Sequence, residues 1–214
     1  MPSRRHFVAA AFAALSAAAL AAPSVAQKVP PVLLVVGDSI SAAYGLPPGT
    51  GWVELLAARL KERGYPQRVV NASISGDTTA GGRARFAALL AQHQPAIVAI
   101  ELGGNDGLRG GTLASTQANL DAMVGAAKNA GAKVLLVGMQ LPPNYGAAYT
   151  RQFEALYAAV AAAHKVPLVP AFFAGFGDQN EMFQPDRIHP TAAAQPKLLD
   201  NVWPQLAPFL GKPK

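Results

Sequence analysis

A three-layer α/β/α sandwich around a parallel sheet of about five strands is the fold class this chain predicts, and three observations carry it. Short runs rich in valine, leucine and isoleucine recur along the 214 residues, and they are apolar throughout rather than alternating. Strands of that kind are buried on both faces, as happens when helices cover a parallel sheet. Between the runs lie stretches of helical spacing, ten residues or longer, which suit the crossovers that parallel strands need. Where one run after another stops, glycine and small polar residues appear.

The first strand is expected at Val32–Val36, stopping at Gly37. Trp52 to Arg63 follows as a helix, since Trp52, Leu55, Leu56 and Leu60 fall on one face and Gly64 ends it. Val69–Ala72 is the second strand and Arg83 to His93 the second helix. Pro95 precedes the third strand, Ile97–Ile100. Leu113 to Asn129 reads as a long helix ended by Gly131, and Val134–Val137 as the fourth strand. Tyr149 to His164 is the next helix, and Val166–Val169 the last strand. A final helix is expected over Ala192 to Leu206, made irregular by Pro196 and Pro204. The organisation is flavodoxin-like, and in such sheets ligands bind beyond the carboxyl ends of the strands. No composition shift, long linker or internal repeat divides residues 27–214, which read as one domain.

Residues 1–26 stand outside that domain. Arg4 and Arg5 open the chain, an uncharged stretch rich in alanine and leucine runs from Phe7 to Gln27, and Ser24–Ala26 offers the small residues a signal peptidase reads. A secretory signal peptide is expected, with Gln27 as the mature terminus and a periplasmic or secreted product. The apolar segment is marginal in length for a span, and alanine drives insertion weakly, so no stable membrane insertion of the mature chain is expected. Ser3 to Phe7 also resembles a twin-arginine export motif.

Setting these residues aside leaves 188, with 16 basic and 12 acidic residues and a net charge of +4, read as ordinary solubility charge. No dense run of Lys or Arg points to nucleic acid. The absence of cysteine excludes disulfide scaffolds, thiolate metal sites and cysteine nucleophiles. With 51% hydrophobic and 14% charged residues, a disordered chain is excluded as well.

Polar residues gather where the apolar runs finish. Gly37-Asp38-Ser39-Ile40-Ser41 ends the first, Asn71-Ala72-Ser73-Ile74-Ser75-Gly76-Asp77 the second, and Glu101-Leu102-Gly103-Gly104-Asn105-Asp106-Gly107 the third. Asp186-Arg187-Ile188-His189-Pro190 precedes the last helix. In this order the stretches resemble the four blocks of the SGNH (GDSL) hydrolase family: Gly37-Asp38-Ser39, Gly76, Gly103-Gly104-Asn105-Asp106, and Asp186 to His189. The longer strings over Asn71–Thr79, Glu101–Gly110 and Leu141–Gly146 are similar to the bacterial arylesterase, thioesterase I and lysophospholipase group within it. The resemblance spans essentially the whole mature chain. Any one block is weak, but four in order at matching strand ends are specific.

The resemblance implies an SGNH hydrolase fold with Ser39 as nucleophile, His189 as base and Asp186 as its partner. Each role fits a physical need. A serine hydroxyl attacks only when a base takes its proton, an imidazole suits that shuttle, and a carboxylate fixes its tautomer. The chain order Ser, Asp, His is that of α/β-hydrolases, yet no Gly-x-Ser-x-Gly elbow surrounds Ser39, because Ser41 holds the fifth position. The implied oxyanion hole comprises the Ser39 and Gly76 backbone N–H groups and the Asn105 amide. Glycine is expected at position 76 because a close backbone approach leaves no room for a side chain. An imidazole base also predicts a turnover that falls on acidification.

Taken singly, Ser39 reads as a helix cap, Asn105 as a turn residue and Asp186 with His189 as a surface turn. Asp38 and Asp77 are expected to anchor turns, and Glu101 and Asp106 to serve as structural hydrogen-bonding groups. His93 and His164 sit near helix C-termini and share no metal-type spacing, so no metal and no cofactor is expected. Gly107–Gly111 is a candidate lid that brings Leu108 and Arg109 to the substrate. Leu141, Pro142, Asn144 and Tyr145 follow the fourth strand and offer an apolar wall with one amide and one phenol. The resemblance implies cleavage of carboxylic esters, including aryl esters and lysophospholipids, and of acyl thioesters, through an acyl-enzyme. Two alternatives stay open: a carbohydrate O-deacetylase of the same superfamily, and a non-catalytic periplasmic binding module. The expected partner is a small-molecule acyl ester or lysophospholipid, with no nucleic acid, and the chain is expected to be a monomer.

Overall fold

The computed structural model describes residues 29–213, so the expectations over residues 1–26 lie outside the described residues. Strands β1 (Val32–Gly37), β2 (Arg68–Asn71), β3 (Ile97–Glu101), β4 (Lys133–Val137) and β5 (Leu168–Val169) form one parallel sheet in the order β2-β1-β3-β4-β5. The helices are α1 (Trp52–Glu62), α2 (Thr79–His93), α3 (Gly104–Leu108), α4 (Leu113–Asn129), α5 (Ala147–His164) and α6 (Gln195–Leu210). α1 packs on α6, while α2, α4 and α5 pack side by side, which gives a helical layer on each side of the sheet. Every residue of β1 and β3 is buried, as runs without polar alternation require.

The strand order positions the site. From β1 the chain steps out to β2 on one side, then crosses over to β3 on the other side of β1. The crevice at such a reversal lies beyond the carboxyl ends of the strands, between β1 and β3. Ser39 follows β1, Gly76 follows β2 and Asn105 follows β3, so all three blocks arrive at that end of the sheet.

Several elements differ from expectation, each for a local reason. α2 begins at Thr79 rather than Arg83, because its first turn is capped twice: Thr78 Oγ1 accepts from Gly81 N–H, and Asp106 accepts from Thr79 N–H. β5 is two residues long instead of four. Pro167 and Pro170 flank it without N–H groups, and the Val166 N–H is spent on Ala161 O at the end of α5. The last helix is preceded by a 3₁₀ turn at Ala192–Ala194 and runs on to Leu210, past Pro204 and Pro208. Pro196 falls in the first turn, where no intrahelical N–H bond is lost, and Leu198, Leu199, Val202, Leu206 and Leu210 bury one face that holds the rest. α3, which reads as a glycine-rich loop in the sequence, is a single short helix carrying Asn105. Among the described residues no helix is long and apolar enough to cross a membrane.

Candidate active site

At the carboxyl end of the sheet, Gly37 stands in register with Glu101. A Cβ on Gly37 would lie 2.5 Å from Glu101 Oε2 and 2.7 Å from Ser41 Oγ, so the glycine makes room for a buried carboxyl group. Glu101 is fully buried, and its Oε2 accepts from Ser41 Oγ at 2.6 Å and from Asp38 N–H at 3.3 Å. Trp52 Nε1 donates in turn to Ser41 Oγ at 3.1 Å. Burial, and then the charge of nearby Asp38, push the Glu101 carboxyl well above its ordinary range. The chain Trp52–Ser41–Glu101 thus clamps the turn after β1 from beneath.

Asp38 occupies that turn, also buried. Its Oδ1 accepts from Ile40 N–H at 3.0 Å, the turn-anchoring bond expected of it, and its Oδ2 accepts from Asn105 Nδ2 at 3.1 Å. Burial pushes its carboxyl up to about 6, partly offset by the Ile40 N–H, the facing His189 and the Asn105 amide.

Ser39 projects from the same turn. Its hydroxyl donates to His189 Nε2 at 2.8 Å, and His189 Nδ1–H donates to Asp186 Oδ2 at 2.7 Å. A carboxylate only accepts, so this contact places the ring proton on Nδ1 and leaves the Nε2 lone pair facing the hydroxyl. One loop delivers both partners. Arg187 adopts a left-handed backbone, φ 58, and Asp186 Oδ1 accepts from Ile188 N–H at 2.9 Å and His189 N–H at 3.0 Å. Partial burial opposes ionisation of Asp186, but the His189 N–H, its ring and the Ile188 N–H outweigh it and hold the carboxyl at about 2. The Tyr44 ring, from the turn after Ser39, lies over the imidazole with centroids 4.6 Å apart.

The loop after β2 is drawn against the same end of the sheet. Ile74 N–H donates to Gly37 O at 3.0 Å, Asn71 Nδ2 donates to Ser41 O at 2.7 Å, and Arg85 pairs with Asp77 at 2.9 Å. Gly76 takes φ +80, and a Cβ there would meet only Arg109 Nη2, at 3.6 Å. The glycine is therefore required by its backbone conformation and not, as expected, by lack of room. Among the described residues, neither the Ser39 nor the Gly76 N–H finds an acceptor, and Asn105 keeps one amide N–H beyond the one given to Asp38.

A cleft of about 970 Å³ opens at Ser39, Asn105 and His189. Leu108, Leu141, Pro142, Asn144 and Tyr145 are among the residues that line it. Arg109 and Gly76 are not among its lining residues; the Arg109 guanidinium instead donates to Gly76 O at 3.0 Å. The segment expected as a lid is fastened at further points: Tyr145 Oη donates to Leu108 O at 3.1 Å and Tyr149 Oη to Gly111 O at 3.2 Å. Sequence reasoning missed Met139, Phe173, Phe183 and Ile188 on the walls, and Tyr44 over the imidazole. No local signal marked them: Phe173 lies four residues past the end of β5, and its neighbour Phe172 is buried in the core.

A family profile described as the GDSL-like Lipase/Acylhydrolase family matches residues 35–195. The chain is 60% identical over 184 residues to the esterase TesA of Pseudomonas aeruginosa, covering 86% of this chain and 92% of that one. It is 41% identical to an arylesterase of Vibrio mimicus, covering 87% and 94% of the two chains. To the thioesterase 1/protease 1/lysophospholipase L1 of Escherichia coli K12 it is 43% identical, covering 83% and 84%. The crystal structure of a TesA superposes with a TM-score of 0.82 at 61% identity, covering 84% of this chain and 99% of that one.

Proposed function

The chain belongs to the GDSL-like lipase/acylhydrolase family and is a serine esterase, and from that premise we propose that Ser39, His189 and Asp186 carry its reaction. The observation that carries this reading is the continuous hydrogen-bonded path Ser39 Oγ–His189 Nε2, His189 Nδ1–Asp186 Oδ2, at 2.8 and 2.7 Å, opening on the cleft. Ser39 Oγ attacks the ester carbonyl carbon while His189 Nε2 takes its proton. The carbonyl oxygen becomes an oxyanion that accepts from the Ser39 N–H, the Gly76 N–H and the Asn105 amide. Such fixed donors are worth more as charge develops than in the ground state. The intermediate collapses as the imidazolium returns the proton to the departing alkoxide, leaving an acyl group on Ser39. Water, activated by the same imidazole, releases the acid and restores the hydroxyl. Asp186, held ionised, stabilises the imidazolium in both halves.

The substrates are small carboxylic esters. Aryl esters, lysophospholipids and acyl thioesters are the finer proposal, supported by the names of the relatives and by an apolar wall at Leu108, Leu141 and Pro142. The place of action is the periplasm or the cell exterior, on the strength of the signal-like residues 1–26. Hydrolysis of p-nitrophenyl esters of graded chain length tests the reading. Turnover extending to medium or long chains is expected; acetate alone marks a deacetylase, and none marks a binding module. Ser39→Ala is expected to abolish both turnover and labelling by a fluorophosphonate while leaving the thermal midpoint within a few degrees. Retained labelling removes Ser39 from the nucleophile's role.

A further inference from the structure

We propose that Asp38 is a positioning residue for ester cleavage, whose accept-only carboxylate determines which way the Asn105 amide faces. The inference rests on the reading of Asn105 as an oxyanion donor. Asp38 Oδ2 accepts from Asn105 Nδ2 at 3.1 Å, and Asp38 Oδ1 from Ile40 N–H at 3.0 Å. A carboxylate has no hydrogen to offer, so the end of the amide that reaches it must be the NH₂. Its second N–H is then free for the cleft, which Asn105 lines together with Ser39. With the amide turned over, its carbonyl oxygen would confront the carboxylate and leave an acceptor where the substrate oxygen gains charge. Both contacts would be repulsive.

The Ile40 N–H makes the arrangement testable, because it distinguishes the two ends of the side chain at position 38. In Asp38→Asn the side-chain oxygen stays on the Ile40 N–H, since the other orientation sets two donors face to face. The new NH₂ therefore takes the place of Oδ2 and faces Asn105, which can receive it only through its own carbonyl oxygen. The isosteric replacement turns the Asn105 amide over, whereas Asp38→Ala merely releases it to sample both orientations.

The expected ranking is thus the reverse of what packing alone would give. With a p-nitrophenyl ester, kcat is expected to fall about tenfold in Asp38→Ala. In Asp38→Asn it falls about 10²- to 10³-fold, the loss typical of removing one oxyanion donor. KM moves by less than about threefold in both, because the donor acts mainly on the transition state. In an Asn105→Ala background, Asp38→Asn is expected to cost no more than about a further twofold, since its effect passes through the missing amide. An Asp38→Ala enzyme slower than Asp38→Asn, or losses that multiply in the double variant, overturns the proposal. An Asn105→Ala enzyme with wild-type kcat overturns instead the oxyanion reading beneath it. Circular dichroism confirms that each variant is folded; should Asp38→Ala fail there, the cycle of Asp38→Asn with Asn105→Ala decides alone.

Discussion

Asp186 accepts three hydrogen bonds, two from backbone N–H groups and one from the imidazole. With its carboxyl at about 2 it stays ionised across any working pH, so loss of activity on mild acidification does not come from this carboxylate. Asp186→Asn keeps the size of the group but lets its amide NH₂ face the ring, which favours the tautomer with the proton on Nε2 and removes the lone pair that Ser39 needs. A loss of about 10⁴-fold in kcat with the fold intact is expected, measured on a p-nitrophenyl ester. A loss below about tenfold would reduce the carboxylate to a loop anchor.

Two elements meet through Asp106, which follows Asn105 in α3. Its Oδ2 accepts from Thr79 N–H at 2.8 Å and its Oδ1 from Thr79 Oγ1 at 2.6 Å, so it caps α2 from the neighbouring short helix. The Thr79 hydroxyl is held from the other side by Asn119 of α4, at 3.1 Å. One carboxylate therefore ties the short helix bearing Asn105 to the helical layer beneath it. Asp106→Ala removes the cap and leaves a buried hydroxyl with one partner fewer, at a cost of about 1–2 kcal/mol. In a domain of this size that lowers the thermal midpoint by roughly 2–8 °C, readable by calorimetry. An unchanged midpoint would mean that α2 is capped by Thr78 alone.

Over the whole molecule, the buried acids under the nucleophile make stability depend on pH in a definite sense. Asp38 rises from an ordinary 3.8 to about 6, so between those values the folded chain binds the proton more tightly than the unfolded one. Its contribution is full below about 4 and is lost as pH rises through about 6, a change of about 3 kcal/mol. Asp186 runs the other way, adding stability as pH climbs from about 2 towards 4. Urea unfolding at intervals from pH 4 to pH 8 is expected to show wild type losing stability relative to Asp38→Asn across that window. The variant ends more stable at pH 8 although far less active, because ionised Asp38 is held buried for function. A difference independent of pH would show that Asp38 does not titrate there.

The strands and most helices were legible in the chain because burial is written locally: unbroken apolar runs mean two covered faces, and helical spacing means one. The four blocks were legible for the same reason, each being a short string, three of them at the ends of their strands and the fourth in the loop before the last helix. Where local signals were weak, neighbours decided. Gly104–Leu108 reads as a loop because glycine is a poor helix former, yet it forms α3 at the close of β3. β5 shrinks because two prolines withhold N–H groups, and α6 tolerates Pro204 and Pro208 because its apolar face is buried. No string of residues reveals that Tyr44 lies over His189, that Phe173 and Phe183 line the cleft, or that Asp38 holds Asn105 from 67 positions away. The last of these exists only once β1 and β3 pair, for the order of strands in the sheet, and not any local pattern, brings those two side chains within hydrogen-bonding reach.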